Sequence, residues 1–374
     1  MKVAIWADVC FNQTGMGRGT NSLIRELFKQ DRKNEYTLFH SANHPEDSLT
    51  QHLGHFHNVR SSRLPYSRRS LMMNWLFLSR MELSVLIGPH DIYFNPCAYY
   101  IPISDGQFTG LVWDLCTIFS PQSYSFQMRW IANQGRKSLI RNSSTILAIS
   151  ESTKNDLCTH YGISGEKIRI AYLGVEEHFQ EVSSEVVETI KRKFRIRSPY
   201  IFWCGEIQTR KNVVLLVKAF HQFLQTWHGP VQLVLSGGIG YRGKEVLKLI
   251  SQLGLENDVV LTGPLGDSDL VPLYNGAHLF AFPSLYEGFG LPVLESMACG
   301  TPVIASNVSS LPEIVESAGL LVPPADVDAW VNAFRELFQN DRLYERLSQL
   351  GRKRAKSFTW STMARTVLDT FGNL

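Results

Sequence analysis

Residues 278–306 read HLFAFPSLYEGFGLPVLESMACGTPVIAS. An apolar run at 278–282 stops at Pro283-Ser284, and Gly288-Phe289-Gly290 follows as a bare, exposed loop. Pro292 suits the first helical position, where its missing N–H costs nothing, and Gly300 suits the C-cap of that helix. A second apolar run occupies 301–306. Strand, glycine loop, helix and strand in that order make one crossover of a parallel sheet. The loop offers free backbone N–H groups at the top of a helix, a ready site for an anion. Glu287 stands at the loop's mouth and Glu295 about one turn into the helix, eight positions on. One carboxylate can face a ligand's sugar hydroxyls while the other reaches a ribose further along.

The same alternation extends in both directions. Apolar runs recur at 199–205, 231–238, 258–264 and 319–324, and in the first half at 3–7, 36–41, 91–95, 109–115, 144–150 and 167–174. They are continuous rather than alternating, so the strands are buried on both faces and covered by helices. Each half is expected to be a doubly wound α/β domain of Rossmann type. Residues 175–198 are polar and charge-dense, with a helical stretch before Pro199 restarts a strand, which places a linker near 176–195. The expected division is a first domain over 1–180, a second over 181–357, and a closing helix over 358–374 after the basic turn GRKRAKS.

Length and charge bound the possibilities. The chain has 374 residues, 37 Lys plus Arg against 34 Asp plus Glu, and 44% apolar residues. That is enough for two or three domains, and a net charge of +3 excludes a generally polycationic nucleic-acid binder. Six dispersed cysteines, with no CxxC pair, indicate reduced thiols and neither a zinc site nor a redox pair. The N-terminus is too polar for a signal peptide, and the Leu71–Leu78 run, broken by Asn74, is far short of the ~20 residues of a membrane span. A cytoplasmic protein is expected.

Two further elements point to phosphate. Gly15-Met16-Gly17-Arg18-Gly19 follows the first strand and opens a helix carrying Leu23, Ile24 and Leu27 on one face. The pattern is GxGxG, and Phe39-His40-Ser41-Ala42-Asn43 at the end of the second strand holds no acid for a ribose, so a dinucleotide cofactor is not indicated. The loop reads either as a close approach to phosphate or as a tight turn without ligand. In the second half CGEIQTRKN, 204–212, places Arg210 and Lys211 after a strand, where two cations clamp a diphosphate and stabilise it as it leaves.

These residues together resemble the retaining glycosyltransferases of family 4, the group 1 transferases, over nearly the whole chain. The most specific part is Glu287-Gly-Phe-Gly-Leu-Pro through Glu295; SESTKNDLCTHYG at 150–162, TRKN at 209–212 and the closing FTW helix support it. The resemblance implies a GT-B fold, two facing Rossmann-like domains whose last helix crosses back to the first. It implies a nucleotide-sugar donor, GDP- or UDP-linked with mannose mildly preferred, held by the second domain, and a glycan or lipid-linked glycan acceptor at the first. Arg210 and Lys211 would then neutralise the donor diphosphate and Glu287 would contact the donor sugar. The N–H groups of Phe289, Gly290 and Leu291, beside Gly288, would hold sugar or phosphate oxygens. Glu295 would bond the ribose, and Gly15 and Gly17 would let the first domain close over the phosphates. No metal and no other cofactor is implied.

The sequence departs from the family in two places. Asp114 is kept, but Trp113 stands where many relatives carry a sugar-contacting histidine, and Glu206 stands where others carry an arginine. Both leave open a catalytically silent nucleotide-sugar binder, and an epimerase of the same fold is a further alternative. Asp267-Ser268-Asp269 and Asp326-Val327-Asp328 imitate a DxD metal motif, but each precedes a helix, where Asp is expected as an N-cap. Arg60, Arg63, Arg68, Arg69 and Arg80 fall in an acid-free stretch with interleaved apolar residues. That patch reads either as a core helix with a basic lead-in or as a peripheral contact with an anionic membrane, Arg68 and Arg69 foremost. It also accounts for the charge excess, since residues 1–180 hold 18 Lys plus Arg against 15 Asp plus Glu, while 181–374 hold 19 of each.

Overall fold

The apolar runs become strands. A computed structural model describes residues 1–12, 14–45, 53, 56–78, 81–197 and 199–374. These divide into two units, one of Met1–Ile118, Ser125–Gly174 and Thr359–Leu374, the other of Phe119–Tyr124 and Val175–Phe358.

The first unit holds β1 (Lys2–Trp6), β2 (Glu35–His40), β3 (Val59–Arg63), β4 (Ile92–Asn95), β5 (Gln107–Val112), β6 (Thr145–Ala148) and β7 (Ile168–Ile170), in the order β3-β2-β1-β4-β5-β6-β7. The second holds β8 (Tyr200–Cys204), β9 (Gln232–Ser236), β10 (Val259–Gly263), β11 (Leu279–Phe282), β12 (Val303–Ser306) and β13 (Gly319–Val322), in the order β10-β9-β8-β11-β12-β13. The registered pairs run parallel, from Val3 beside Tyr36 and Ile92 to Ile201 beside Leu233 and Leu279. In both sheets the strand order reverses beside the first strand, which opens a crevice at the strands' carboxyl ends. Central strands such as Tyr200–Cys204 are buried throughout, which is why their sequences are unbroken apolar runs.

Two expectations change. β3, VRSSR, is absent from the apolar runs because it is a half-buried edge strand with one neighbour, and polar side chains are no penalty there. The helical stretch expected before Pro199 runs over 184–194 and packs on Asp267–Gly276: Lys193 Nζ lies 2.6 Å from Asp269 Oδ2, and the Val182 N–H donates to Asn275 Oδ1 at 3.1 Å. Most of the basic turn is instead the end of the helix Asp341–Ala355, where Arg354 donates to the carbonyls of Ile314 and Glu313 at 3.1 and 2.6 Å.

The closing helix, Trp360–Phe371, packs along Gly15–Gln30; Gln30 Nε2 donates to the Ser361 carbonyl at 3.0 Å, and Phe371 meets Phe94 edge-on. Among the described residues no helix is long and apolar enough to cross a membrane.

Candidate active site

The reversal of strand order in the second sheet lies between β8 and β11, and the loops after these two strands meet. After β8, Thr209–Lys211 forms a single 3-10 turn ended by Asn212 in the left-handed conformation (φ 55°). The Asn212 side chain holds that conformation by donating to the carbonyls of Pro283 and Pro324, at 3.1 and 2.8 Å. The turn delivers Arg210 and Lys211 to Glu287 in the loop after β11. Arg210 Nη1 lies 2.8 Å and Lys211 Nζ 2.7 Å from the same oxygen, Glu287 Oε1. Arg210 Nη1 also donates to the Tyr286 carbonyl at 2.6 Å, and Lys211 Nζ sits 4.7 Å over the Phe282 ring. All three charged residues are 8% exposed.

Burial alone would raise the Glu287 pKa, but the Arg210 and Lys211 charges and the Lys211 hydrogen bond overrule it, from 4.5 to about 2. The cluster is one carboxylate between two cations, so it carries a net positive charge in a buried place. An anion suits it.

The glycine loop is built from within. Gly290 has φ 111°, a conformation that L side chains rarely adopt, and it is the N-cap of the helix Leu291–Cys299. Ser310 Oγ donates to the carbonyls of Glu287 and Phe289 at 3.0 and 2.8 Å, and the Glu287 N–H donates to Ser309 Oγ at 2.9 Å. Gly288, Phe289 and Gly290 are buried and Leu291 half-buried, so the loop is not the bare, exposed one expected. Serine hydroxyls and the Phe358 ring, 5.7 Å from that of Phe289, close it off.

Glu295 is 4% exposed. Its Oε2 accepts from the Tyr274 hydroxyl at 2.9 Å, and that hydroxyl is in turn 2.9 Å from Cys204 Sγ. Burial, with Cys204 and Glu295 adding to it, holds the Tyr274 pKa well above its ordinary range, so the hydroxyl remains a donor. Tyr274, Ser309 and Ser310 are not marked in the sequence by any motif. Only the two serines, as a pair just after a strand, left a faint signal.

In the first unit Gly15 opens the helix Gly15–Gln30, capped by Thr14, and none of the described residues lies within 4 Å of the position a side chain at 15 would take. Gly17 is glycine for an internal reason: a Cβ there would stand 1.9 Å from the Asn12 carbonyl oxygen. Asp114 Oδ1 accepts from the Cys116 N–H at 2.9 Å, and Trp113 is a core residue whose indole N–H donates to the Pro96 carbonyl at 2.7 Å. Glu206 is exposed.

The imitation metal motifs resolve into helix starts and ion pairs. Asp326 is an N-cap, accepting from the Ala329 N–H at 2.9 Å. Asp267 is not: Gly266 takes the cap position, and Asp267 instead meets His178 at 3.0 Å. The arginine patch divides as well. Arg60 donates to Thr37 Oγ1 and Arg63 to the Ala42 carbonyl, both at 2.8 Å, Arg68 lies 4.0 Å from buried Asp8, Arg69 is exposed, and Arg80 is outside the described residues. Leu71 and Trp75 are core, with Trp75 edge-on to Trp6.

Residues 186–354 match the family described as "Glycosyl transferases group 1", and residues 14–179 match "Glycosyltransferase Family 4". The chain is a group 1 glycosyltransferase. Arg210, Lys211, Glu287 and Glu295 fall in the first match, and Gly15, Gly17 and Asp114 in the second. An O-antigen chain mannosyltransferase B of Escherichia coli is 26% identical over 96% of both chains. A serotype-specific mannosyltransferase, WbdA, of the same species is 30% identical over 62% of this chain and 29% of its own length. Among solved structures, a sucrose-phosphate synthase from Thermosynechococcus elongatus superposes with a TM-score of 0.78 at 21% identity, covering 100% of this chain and 98% of its own. An Anabaena protein, HepE, in complex with UDP-glucose gives 0.76 at 18%, covering both chains fully. The fold of this glycosyltransferase is therefore GT-B.

Proposed function

We propose that the protein transfers a hexose, mannose by preference, from a GDP- or UDP-linked donor to a glycan or lipid-linked glycan of a surface polysaccharide or lipopolysaccharide. The observation that carries the reading is the buried Arg210–Glu287–Lys211 cluster at the crevice of the second sheet. Two cations on one carboxylate leave positive charge for a diphosphate, and Glu287 beside them would face the donor sugar. The names of the mannosyltransferase relatives support mannose, and the UDP-glucose of HepE supports a nucleotide-sugar donor. In a metal-independent, retaining step the acceptor oxygen bonds to the anomeric carbon on the face the diphosphate leaves. The C–O bond to phosphate breaks, and the acceptor proton passes to the departing phosphate oxygen. Arg210 and Lys211 take up the charge that develops there.

Thermal melts with GDP, UDP and their hexoses test the donor, since a ligand binding only the folded state raises stability by RT ln(1 + [L]/Kd). A shift with GDP and GDP-mannose, and transfer that Glu287→Ala abolishes, is expected. Shifts without turnover would establish a silent binder instead, and interconversion of the free nucleotide sugars an epimerase.

Peripheral contact with an anionic membrane belongs to the same reading: exposed Arg69 of the arginine patch is one candidate, and the helix Phe126–Asn142 adds a second. On the helix Phe126–Asn142, Phe126 and Trp130 are 78% and 44% exposed, and exposed Lys137 and Arg141 continue their stripe. No acid occurs from 115 to 150. Aromatic rings followed by cations suit a headgroup layer. Phe126→Ser with Trp130→Ser is expected to lower binding to phosphatidylglycerol vesicles at least tenfold in flotation, and unchanged binding would refute the contact.

A further inference from the structure

One stretch of the chain's first half belongs to the second unit. Phe119–Tyr124 joins it, although the residues on either side belong to the first. The Phe119 ring stacks on that of Tyr286, centroids 5.3 Å apart and planes 10° from parallel. Tyr286 precedes Glu287, and its carbonyl receives Arg210. The short turn Pro121–Ser123 packs on Thr209–Lys211, the turn that presents Arg210 and Lys211. The segment is therefore a strap laid against the cation–carboxylate cluster.

Its hydroxyls are the informative part. Ser120 and Ser123 are 1% and 3% exposed. Their Oγ atoms, and Thr209 Oγ1 on the facing turn, are buried and find no hydrogen-bond partner among the described residues. The backbone does not compete for them, because the Ser123 and Tyr124 N–H groups are satisfied within the turn by the carbonyls of Ser120 and Pro121, at 3.0 and 3.2 Å. Buried hydroxyls are nearly always bonded, and one left unmet costs stability. Three of them on a strap and the turn it packs against, which also carries Arg210 and Lys211, imply that a ligand meets them.

We propose that Ser120 and Ser123 are donor-binding residues, giving their hydroxyl hydrogens to phosphoryl or sugar oxygens of the nucleotide sugar held by Arg210 and Lys211. The inference rests on the donor site proposed above. It makes the strap a part of that site contributed from outside the stretch that matches the group 1 family.

The test uses opposite signs. Ser120→Ala and Ser123→Ala, singly and together, remove hydroxyls that nothing among the described residues satisfies. Melting of the free protein should hold or rise, while affinity for the ligand should fall about tenfold per hydroxyl engaged. Titrations with inorganic pyrophosphate, nucleoside diphosphate and nucleotide sugar divide the oxygens: a loss seen with all three places the contact on phosphate, and one seen only with the last places it on the sugar. A fall in the melting temperature of the free variants with unchanged affinity would overturn the proposal, showing hydroxyls that serve the fold. Absence of any ligand shift in the unaltered protein would instead refute the donor site itself.

Discussion

Glu287→Gln is expected to cut sugar transfer a hundredfold or more while nucleoside diphosphate binds as tightly as before, or more tightly. Glu287 Oε1 is shared by Arg210 and Lys211 at 2.8 and 2.7 Å in a site 8% exposed. Removing the charge leaves two buried cations uncompensated, which costs about 3–5 kcal/mol when one partner of a buried pair is lost. The melting temperature should fall by roughly 10 °C. A diphosphate supplies the missing negative charge, so pyrophosphate should restore more stability to the variant than it adds to the unaltered protein. A variant that melts normally, or gains no more from pyrophosphate, would contradict the assigned geometry.

The acid limb of the stability curve reports the same carboxylate. Its pKa is lower in the folded chain, about 2, than its ordinary 4.5, so between these values the unfolded chain binds the extra proton. The stabilisation from Glu287 is therefore complete above about pH 4.5 and is lost as the pH falls toward 2, on the order of 3 kcal/mol in all. In Glu287→Gln that part of the pH dependence should vanish, which denaturant melts from pH 5 downward would measure.

Tyr274→Phe should weaken nucleotide binding by one to two orders of magnitude with a far smaller change in kcat. The hydroxyl donates to Glu295 Oε2 at 2.9 Å and holds that carboxylate in place from a fully buried position. A hydrogen bond to a charged group contributes about 1.5–3 kcal/mol, and here both Glu295 and Cys204 lose a partner. The ring remains, packed on Phe202 and Phe280, so the core is preserved. If Glu295 bonds the ribose, the preference for ribonucleotides over their 2′- and 3′-deoxy forms should narrow in the variant. Equal weakening toward all of them would reduce Tyr274 to a residue of the fold.

Most of the architecture was legible because buried parallel strands must be continuous apolar runs, and helices must begin and end on residues such as Thr14 and Gly300. β3 was not, since an edge strand has one neighbour and tolerates VRSSR. The helix Ser184–Phe194 was legible as a helical stretch but its packing was not, because its buried face is narrow, with Ile190 its one buried residue. At the site, Arg210, Lys211, Glu287 and Glu295 were visible from residue type and spacing alone. What each arginine of the patch meets was not legible, since charge composition does not say which guanidinium is spent on a local carbonyl or hydroxyl, as Arg60 and Arg63 are.

By itself the sequence determined the two parallel sheets, the family and the charged residues of the second crevice, because each is written in local pattern: runs, caps, and a glycine loop between two acids. Only the tertiary structure decided which groups meet. That both cations close on one oxygen of Glu287, that Tyr274 holds Glu295, and that the strap Phe119–Tyr124 packs on the turn carrying Arg210 depend on loops and helices brought together across 76, 21 and about 90 positions of sequence. Packing of distant side chains sets those distances, and no local pattern records them.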